Sequence, residues 1–131
     1  MALKGKQNYD GLITDVNPAV FVAGATIRKG AAEASYVRGT IFAKSNKDSK
    51  LVILGSTPAE AESNADPEVL TPYCILCEDI TVGTDADENA AVFTAGCFDP
   101  EKLVAKEDYT ITEADKDALR NGGIFLKAAT K

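Results

Sequence analysis

The chain of 131 residues contains no histidine and no tryptophan, and its only methionine is the first residue. Without an imidazole it has no Ser-His-Asp triad, no Cys-His nucleophile pair and no histidine metal ligand. It also contains no phosphate-binding loop, dinucleotide-binding glycine fingerprint or nucleophile-elbow sequence. These absences remove many familiar enzyme classes. We expect a protein that is not an enzyme and that uses neither a cofactor nor a metal.

Long apolar runs and clusters of basic residues are missing as well. No apolar stretch approaches the roughly 18 residues of a membrane span, and the polar residues 1–10 lack the apolar core of a signal peptide. The formal net charge is −6, and the basic residues stand singly among acids, so the surface repels a phosphate backbone. We expect no membrane and no nucleic acid among the partners, and synthesis in the cytoplasm.

Cysteine is scarce and odd in number, with Cys74, Cys77 and Cys97. In a chain without an export signal, this indicates reduced thiols. Cys74 and Cys77 form a CxxC pair inside an apolar run typical of a strand, where side chains three residues apart point to opposite faces. A zinc site needs about four nitrogen or sulfur ligands. We interpret the cysteines as buried and inert; a redox or metal role is the alternative.

One acidic segment begins like a calcium-binding loop, with oxygen ligands at Asp85, Asp87 and Asn89. Such a loop needs glycine at its sixth position and glutamate at its twelfth. Here the sixth residue is Ala90 and the twelfth is Gly96. A solvated hairpin turn is therefore the favoured interpretation.

The remaining sequence predicts a mainly β protein. β-Branched and aromatic residues occur in short runs separated by turn residues, and the predicted strands cover residues 20–27, 37–44, 51–54, 70–82, 90–98 and 124–127. Residues 45–50 predict a hairpin loop, and residues 57–66 predict a loop or one helical turn. Six or seven short strands predict a compact barrel or sandwich.

A single helix is predicted near the C-terminus. Thr112 and Asp115 have the spacing of a capping box, although aspartate replaces the usual glutamate. The helix should run from about residue 113 to 121 and end at Gly122-Gly123, which supply a left-handed cap. Residues 19–131 are therefore expected to form one β-rich domain.

Residues 1–18 differ from the rest because they are polar and carry Gly5, Gly11 and Pro18. We interpret them as a flexible, extended N-terminal arm that orders only against a partner. Leu12 and Ile13 are apolar anchors of the kind that add a strand to a neighbour's sheet edge. An arm without any role is the alternative.

Five segments follow one another in an order that resembles a known family. They are YDGLITD leading to VFVAGATIRKG, the Arg-Gly-Thr-Ile-Phe step at 38–42, ILCEDI at 75–80, AVFTAGCF at 91–98 and LRNGGIFL at 119–126. Over about residues 9–127 this series resembles the lambda-type phage head decoration proteins, which cement capsids. Cys77 and Cys97 replace small or polar residues of the family pattern, and residues 45–68 are longer than in compact members.

The resemblance implies a small β-clip-like or β-tulip-like barrel with one short C-terminal helix and an extended N-terminal arm. Members bind as trimers to local threefold positions outside an expanded capsid and brace it against the pressure of the DNA. The implied partners are the major capsid protein of a phage head and further copies of this chain. The implied location is the capsid exterior of a virion. The candidate capsid-binding residues of the arm are Lys4, Lys6, Tyr9, Leu12 and Ile13.

Three alternatives stay open. A small non-catalytic β-barrel module that recognises a peptide or glycan would be favoured by an exposed aromatic groove of Tyr36, Phe42 or Tyr73. A paired-carboxylate enzyme would need a buried Glu78 with a raised pKa. A domain of a tail or fibre protein with the same fold lies within the structural class.

Overall fold

The computed structural model describes residues 12–15, 19–58 and 67–127. The protein is mainly β, as predicted, with one helix near the C-terminus. The elements of the described residues are β1 (Ile13–Asp15), β2 (Phe21–Ile27), β3 (Ala34–Tyr36), β4 (Ile41–Ser45), β5 (Leu51–Ile53), β6 (Leu70–Leu76), β7 (Ile80–Val82), β8 (Glu88–Phe98), a short 3-10 helix (Pro100–Lys102), α1 (Glu113–Gly122) and β9 (Ile124–Leu126).

Five strands close into a barrel in the order β8, β2, β5, β4 and β6. The ring closes because the long strand β8 pairs antiparallel with β2 on one side and with β6 on the other. The C-terminal end of β8 continues beyond the ring, where it pairs with β1 and β9. Strands β3 and β7 form a separate two-stranded sheet.

The barrel strands bury side chains on both faces. Ile41 and Ile75 belong to one buried cluster, whereas their neighbours Phe42 and Leu76 belong to a second one. This division follows from the alternation of side chains along a strand. Helix α1 contributes Leu119, which is 1% exposed, to the first cluster. The apolar side of the helix thus docks on the barrel, as its short length requires.

The termini of α1 are set by local hydrogen bonds that the sequence predicted. The Thr112 hydroxyl accepts from the backbone N–H of Asp115 at 3.1 Å, and the Asp115 carboxylate accepts from the N–H of Thr112 at 3.0 Å. Gly123 adopts a left-handed φ of 106° as the C-cap. The capping box is therefore confirmed, and the helix ends one residue later than expected.

The predicted strand over residues 70–82 is wrong as a single element. Strand β6 ends at Leu76, and β7 begins at Ile80 in the other sheet, paired with β3. Arg38 stabilises the turn between them, because its guanidinium donates to the Cys77 carbonyl at 2.9 Å and its N–H donates to the Asp79 carboxylate at 2.8 Å. Apolar residues resume directly after Glu78 and Asp79, so two charged residues alone mark the turn and the sequence pattern reads as one strand.

The predicted strand over residues 37–44 also begins later, at Ile41. Gly39 has a φ of 98°, and a Cβ there would lie 2.8 Å from the carbonyl oxygen of Lys102. Only glycine fits such a turn without strain. The hairpin loop predicted over residues 45–50 is confirmed by the pairing of β4 with β5.

Candidate interaction surfaces

The structure does not place the predicted arm residues together. Leu12 is 2% exposed and lies in the first buried cluster, and Ile13 begins β1, where it pairs with Phe98. The expectation that these two residues are free anchors on a flexible arm is therefore wrong, since an apolar pair close to the barrel is more stable in its core than in water. Residues 1–11 and 16–18, which include Lys4, Lys6 and Tyr9, lie outside the described residues.

Among the described residues, the two large apolar side chains with the highest exposed fractions lie next to each other in β2. Phe21 is 60% exposed and Val22 is 59% exposed, and Ala23 and Gly24 are exposed as well. The other exposed large apolar residues are dispersed over the fold at Val37, Val69, Tyr73, Val104 and Phe125. The sequence predicts only a strand for β2. The signal that would have found this surface is an uncharged run with a glycine in its middle.

A shallow groove of about 410 Å³ lies along this part of the barrel. It is lined by residues of β2 and β8, namely Val22, Ala23, Gly24, Asn89, Ala90 and Ala91. The lining carries no charged side chain, and its members are mostly small. It lacks the convergent polar groups that orient a substrate or small ligand. The groove is therefore a candidate for contact with another protein surface.

A network of ion pairs connects the loops at one end of the barrel. Arg28 binds Asp48 at 2.9 Å and Glu68 at 2.7 Å, and the Glu68 carboxylate also accepts from the Ser45 hydroxyl at 2.6 Å. The hydrogen bonds that the Arg28 guanidinium donates to Asp48 and Glu68 raise the pKa of Arg28. Burial would raise the pKa of Asp48, but hydrogen bonds from Arg28 and from the Lys50 N–H outweigh it and lower the pKa.

The segment that begins like a calcium-binding loop belongs to the same network of ion pairs. The Asp87 carboxylate binds the Lys50 ammonium at 2.6 Å and accepts from the Lys29 N–H at 2.7 Å. The hydrogen bond from Lys50 lowers the pKa of Asp87. Among the described residues, no group of three or more acids and cysteines is arranged to hold a metal ion. The turn joins β7 to β8 rather than forming a hairpin, because these strands pair with different partners.

The three cysteines are free thiols, as expected. Cys74 belongs to the second buried cluster, whereas Cys77 packs against the first, so the CxxC pair divides between two faces as its strand position predicted. Burial raises the pKa of Cys74 to about 12 and that of Cys77 to about 11. Because the thiolate is the reactive form, both side chains are poor nucleophiles at neutral pH.

The features that would favour the alternatives are not assembled in the described residues. Phe42 is fully buried, and Tyr36 packs edge-on against it with ring centroids 5.1 Å apart. Tyr73 lies apart from them under the Lys44 ammonium, which is 4.6 Å from its ring centroid. Glu78 is exposed rather than buried. Neither an aromatic groove nor a buried catalytic carboxylate at Glu78 is formed.

Similarity to known proteins does not identify the chain. No protein-family model matches it, and no curated protein matches its sequence. Within residues 12–15, 19–58 and 67–127, no helix is both long enough and apolar enough to cross a membrane. The exposed part of β2 is an apolar feature of the described residues that can serve as an interaction surface.

Proposed function

We propose that this chain is a structural virion protein that binds the outside of an expanded phage capsid as a homotrimer and stabilises it. The observation that carries the proposal is that four of the segments resembling lambda-type decoration proteins form turns, connections and the long strand of the barrel. They supply the turn before β4, the end of β6, the long strand β8 and the connection from α1 to β9. The proposed partners are the major capsid protein and two further copies of the chain.

Three glycines of these segments have a backbone conformation that the fold requires. Gly39, Gly96 and Gly123 have φ values of 98°, 142° and 106°, which side-chain-bearing residues rarely adopt. Gly96 lies where β8 leaves the barrel ring, and a Cβ there would lie 3.1 Å from the Phe98 ring. The likeness therefore involves residues that determine how the chain turns. This supports a shared architecture more strongly than the same number of ordinary core residues would.

In this proposal the arm consists of residues 1–11 rather than 1–18. Leu12 and Ile13 anchor it to the barrel, and Lys4, Lys6 and Tyr9 remain the candidate capsid contacts. One weak contact per subunit becomes a durable attachment when three subunits bind together, because later contacts form at high effective concentration. The net charge of −6 helps decorated particles to repel one another.

The proposal is tested by mixing the purified full chain with emptied phage heads made from the capsid protein of the same phage. We expect saturable binding to expanded shells, no binding to immature shells, and a higher melting temperature of the decorated shells. Solution mass measured in parallel should be three times that of one chain. Equal binding to both shell forms, or binding to neither, contradicts the proposal.

A further inference from the structure

The basic residues of this acidic chain are concentrated in one segment. Residues 28–50 contain six of the 14 lysines and arginines but only two of the 20 acidic residues, so the segment carries a net charge of +4. The rest of the chain, with eight basic and 18 acidic residues, carries −10. An acidic partner is therefore repelled by most of the chain and attracted to this part of it.

Two lysines of this segment form no ion pair within the part of the chain that the structure describes. The neighbouring carboxylate of Asp48 is already bound by Arg28 at 2.9 Å. The Lys44 ammonium instead lies over the Tyr73 ring, and Lys47 is exposed in the hairpin loop between β4 and β5. The charges of Lys44 and Lys47 are thus available to an anionic group from outside the chain.

Exposed apolar side chains lie beside these lysines. In the pairing of β4 with β6, Lys44 is directly opposite Thr71, so both side chains lie on the same face. Val69 is 51% exposed and shares this face because alternate residues along a strand do so, and the Tyr73 ring, which Lys44 contacts, belongs to a residue that is 39% exposed. We call Lys44, Lys47, Val69, Thr71 and Tyr73 the basic patch.

The loop that carries Lys47 is held against β6 by hydrogen bonds. The N–H of Asn46 donates to the Val69 carbonyl at 3.1 Å, and the Asn46 side-chain oxygen accepts from the Val69 N–H at 2.8 Å. The Ser45 hydroxyl accepts from the Lys47 N–H at 3.1 Å and donates to the Glu68 carboxylate at 2.6 Å. A surface that is fixed in advance loses less conformational entropy on binding than a flexible loop does.

We propose that the basic patch binds an acidic segment of another protein, whose carboxylates contact Lys44 and Lys47 and whose apolar side chains contact Val69 and Tyr73. Burial of these two exposed side chains adds a hydrophobic contribution to the ionic contacts. A short segment touches only the patch, whereas a long polyanion such as a nucleic acid also meets the acidic remainder of the chain and is repelled by it. This surface is separate from the N-terminal arm, and the inference does not depend on the proposed function.

The probe for the full chain is a fluorescein-labelled peptide of ten residues, seven glutamates and three leucines, with binding followed by fluorescence anisotropy. The salt concentration is about 0.15 M, where charges more than about 8 Å apart are largely screened. We expect saturable binding that the double variant Lys44→Glu, Lys47→Glu weakens at least about tenfold. The matched control, Lys102→Glu with Lys106→Glu, makes the same change of charge at two exposed residues elsewhere and should weaken binding less than about twofold.

A second measurement uses the unmodified chain, so that it does not depend on a variant folding. Titration with the same peptide should shift the backbone amide resonances of residues 44–47 and 69–73 in nuclear magnetic resonance spectra and leave those of α1 in place. Absence of binding, shifts confined to other residues, or equal losses in the two double variants would each overturn the inference. Tighter binding of a labelled decathymidylate than of the peptide would also overturn it, in favour of a nucleic-acid surface. None of these results alters the expected binding to expanded shells, which the shell-mixing experiment tests separately.

Discussion

The backbone N–H of Asp99 donates a hydrogen bond to the carbonyl of Leu12 over 2.8 Å. This bond lies beside the pairing of Ile13 with Phe98 and fixes the point at which the N-terminal segment joins the barrel. It therefore holds Leu12 beside the C-terminal end of β8.

The first prediction concerns Leu12 as a core residue. We expect Leu12→Ala to lower the free energy of unfolding by about 2–4 kcal/mol, because a fully buried leucine loses its packing and leaves a cavity. Urea denaturation followed by circular dichroism measures this change. The matched control is Val69→Ala, at a residue that is 51% exposed, which should leave the stability nearly unchanged. Equal stabilities of the two variants would show that Leu12 does not belong to the core in solution.

The second prediction separates the arm from the barrel. Deletion of residues 1–10 should leave the melting temperature of the free chain unchanged and weaken its binding to expanded shells. Replacing Lys4 and Lys6 together with glutamate should weaken binding in the same direction. The same charge change at Lys102 and Lys106, which are exposed in the connection between β8 and α1, serves as the control. Equal losses in the two double variants would indicate a general effect of charge rather than contacts by the arm.

The third prediction concerns the ion pair between Arg28 and Glu68. The Glu68 side chain is 5% exposed and accepts from both the Arg28 guanidinium and the buried Ser45 hydroxyl; without Glu68, Arg28 keeps Asp48 but the Ser45 hydroxyl loses its acceptor. We expect Glu68→Ala to lower the free energy of unfolding by about 2 kcal/mol. Asp117→Ala, which removes an exposed ion pair with Arg120, should cost less than about 1 kcal/mol. Similar costs for the two variants would rule out a structural role for the buried pair.

The fourth prediction is a loss of stability in acid. The pKa values of Asp48 and Asp87 are both lowered from an ordinary value of 3.8. Their contribution to stability is therefore complete above that value and is lost as the pH falls through the lower pKa of the folded state. The free energy of unfolding of the double variant Asp48→Asn, Asp87→Asn should depend less steeply on pH below 4 than that of the wild type. Identical slopes would contradict the prediction.

The fifth prediction concerns thiol reactivity. At pH 8 the folded chain should react slowly with a thiol-specific reagent at Cys74 and Cys77, because burial raises both pKa values well above that pH. Cys77, which is partly exposed, should react before Cys74, which is buried. Unfolding in urea should make both thiols react at the rate of an ordinary cysteine. Fast modification of Cys74 in the folded chain would show that β6 opens readily.

The extent to which the sequence predicts this fold differs between its elements. Local signals sufficed for α1, where Thr112, Asp115 and Gly123 specify both ends, and for the β4–β5 hairpin. They failed where tertiary contacts decide, as at the turn after Leu76, which Arg38 stabilises from a distant part of the chain. Strand β3 was missed because it is short and only partly buried.

The candidate surface was harder to predict than the fold. Leu12 and Ile13 have the composition of binding anchors, and only the packing of the barrel shows that they lie within its own structure. Phe21 and Val22 are exposed in the structure, whereas apolar residues in a strand predict burial. Their exposure depends on which other elements pack against β2, and no local pattern encodes that.

The central claim is tested most directly by electron microscopy of expanded shells incubated with the full chain. The account predicts additional three-lobed density on the outside of the shell at the local threefold positions, with each lobe large enough for one barrel. Bare shells, or single lobes bound at other positions, would contradict it.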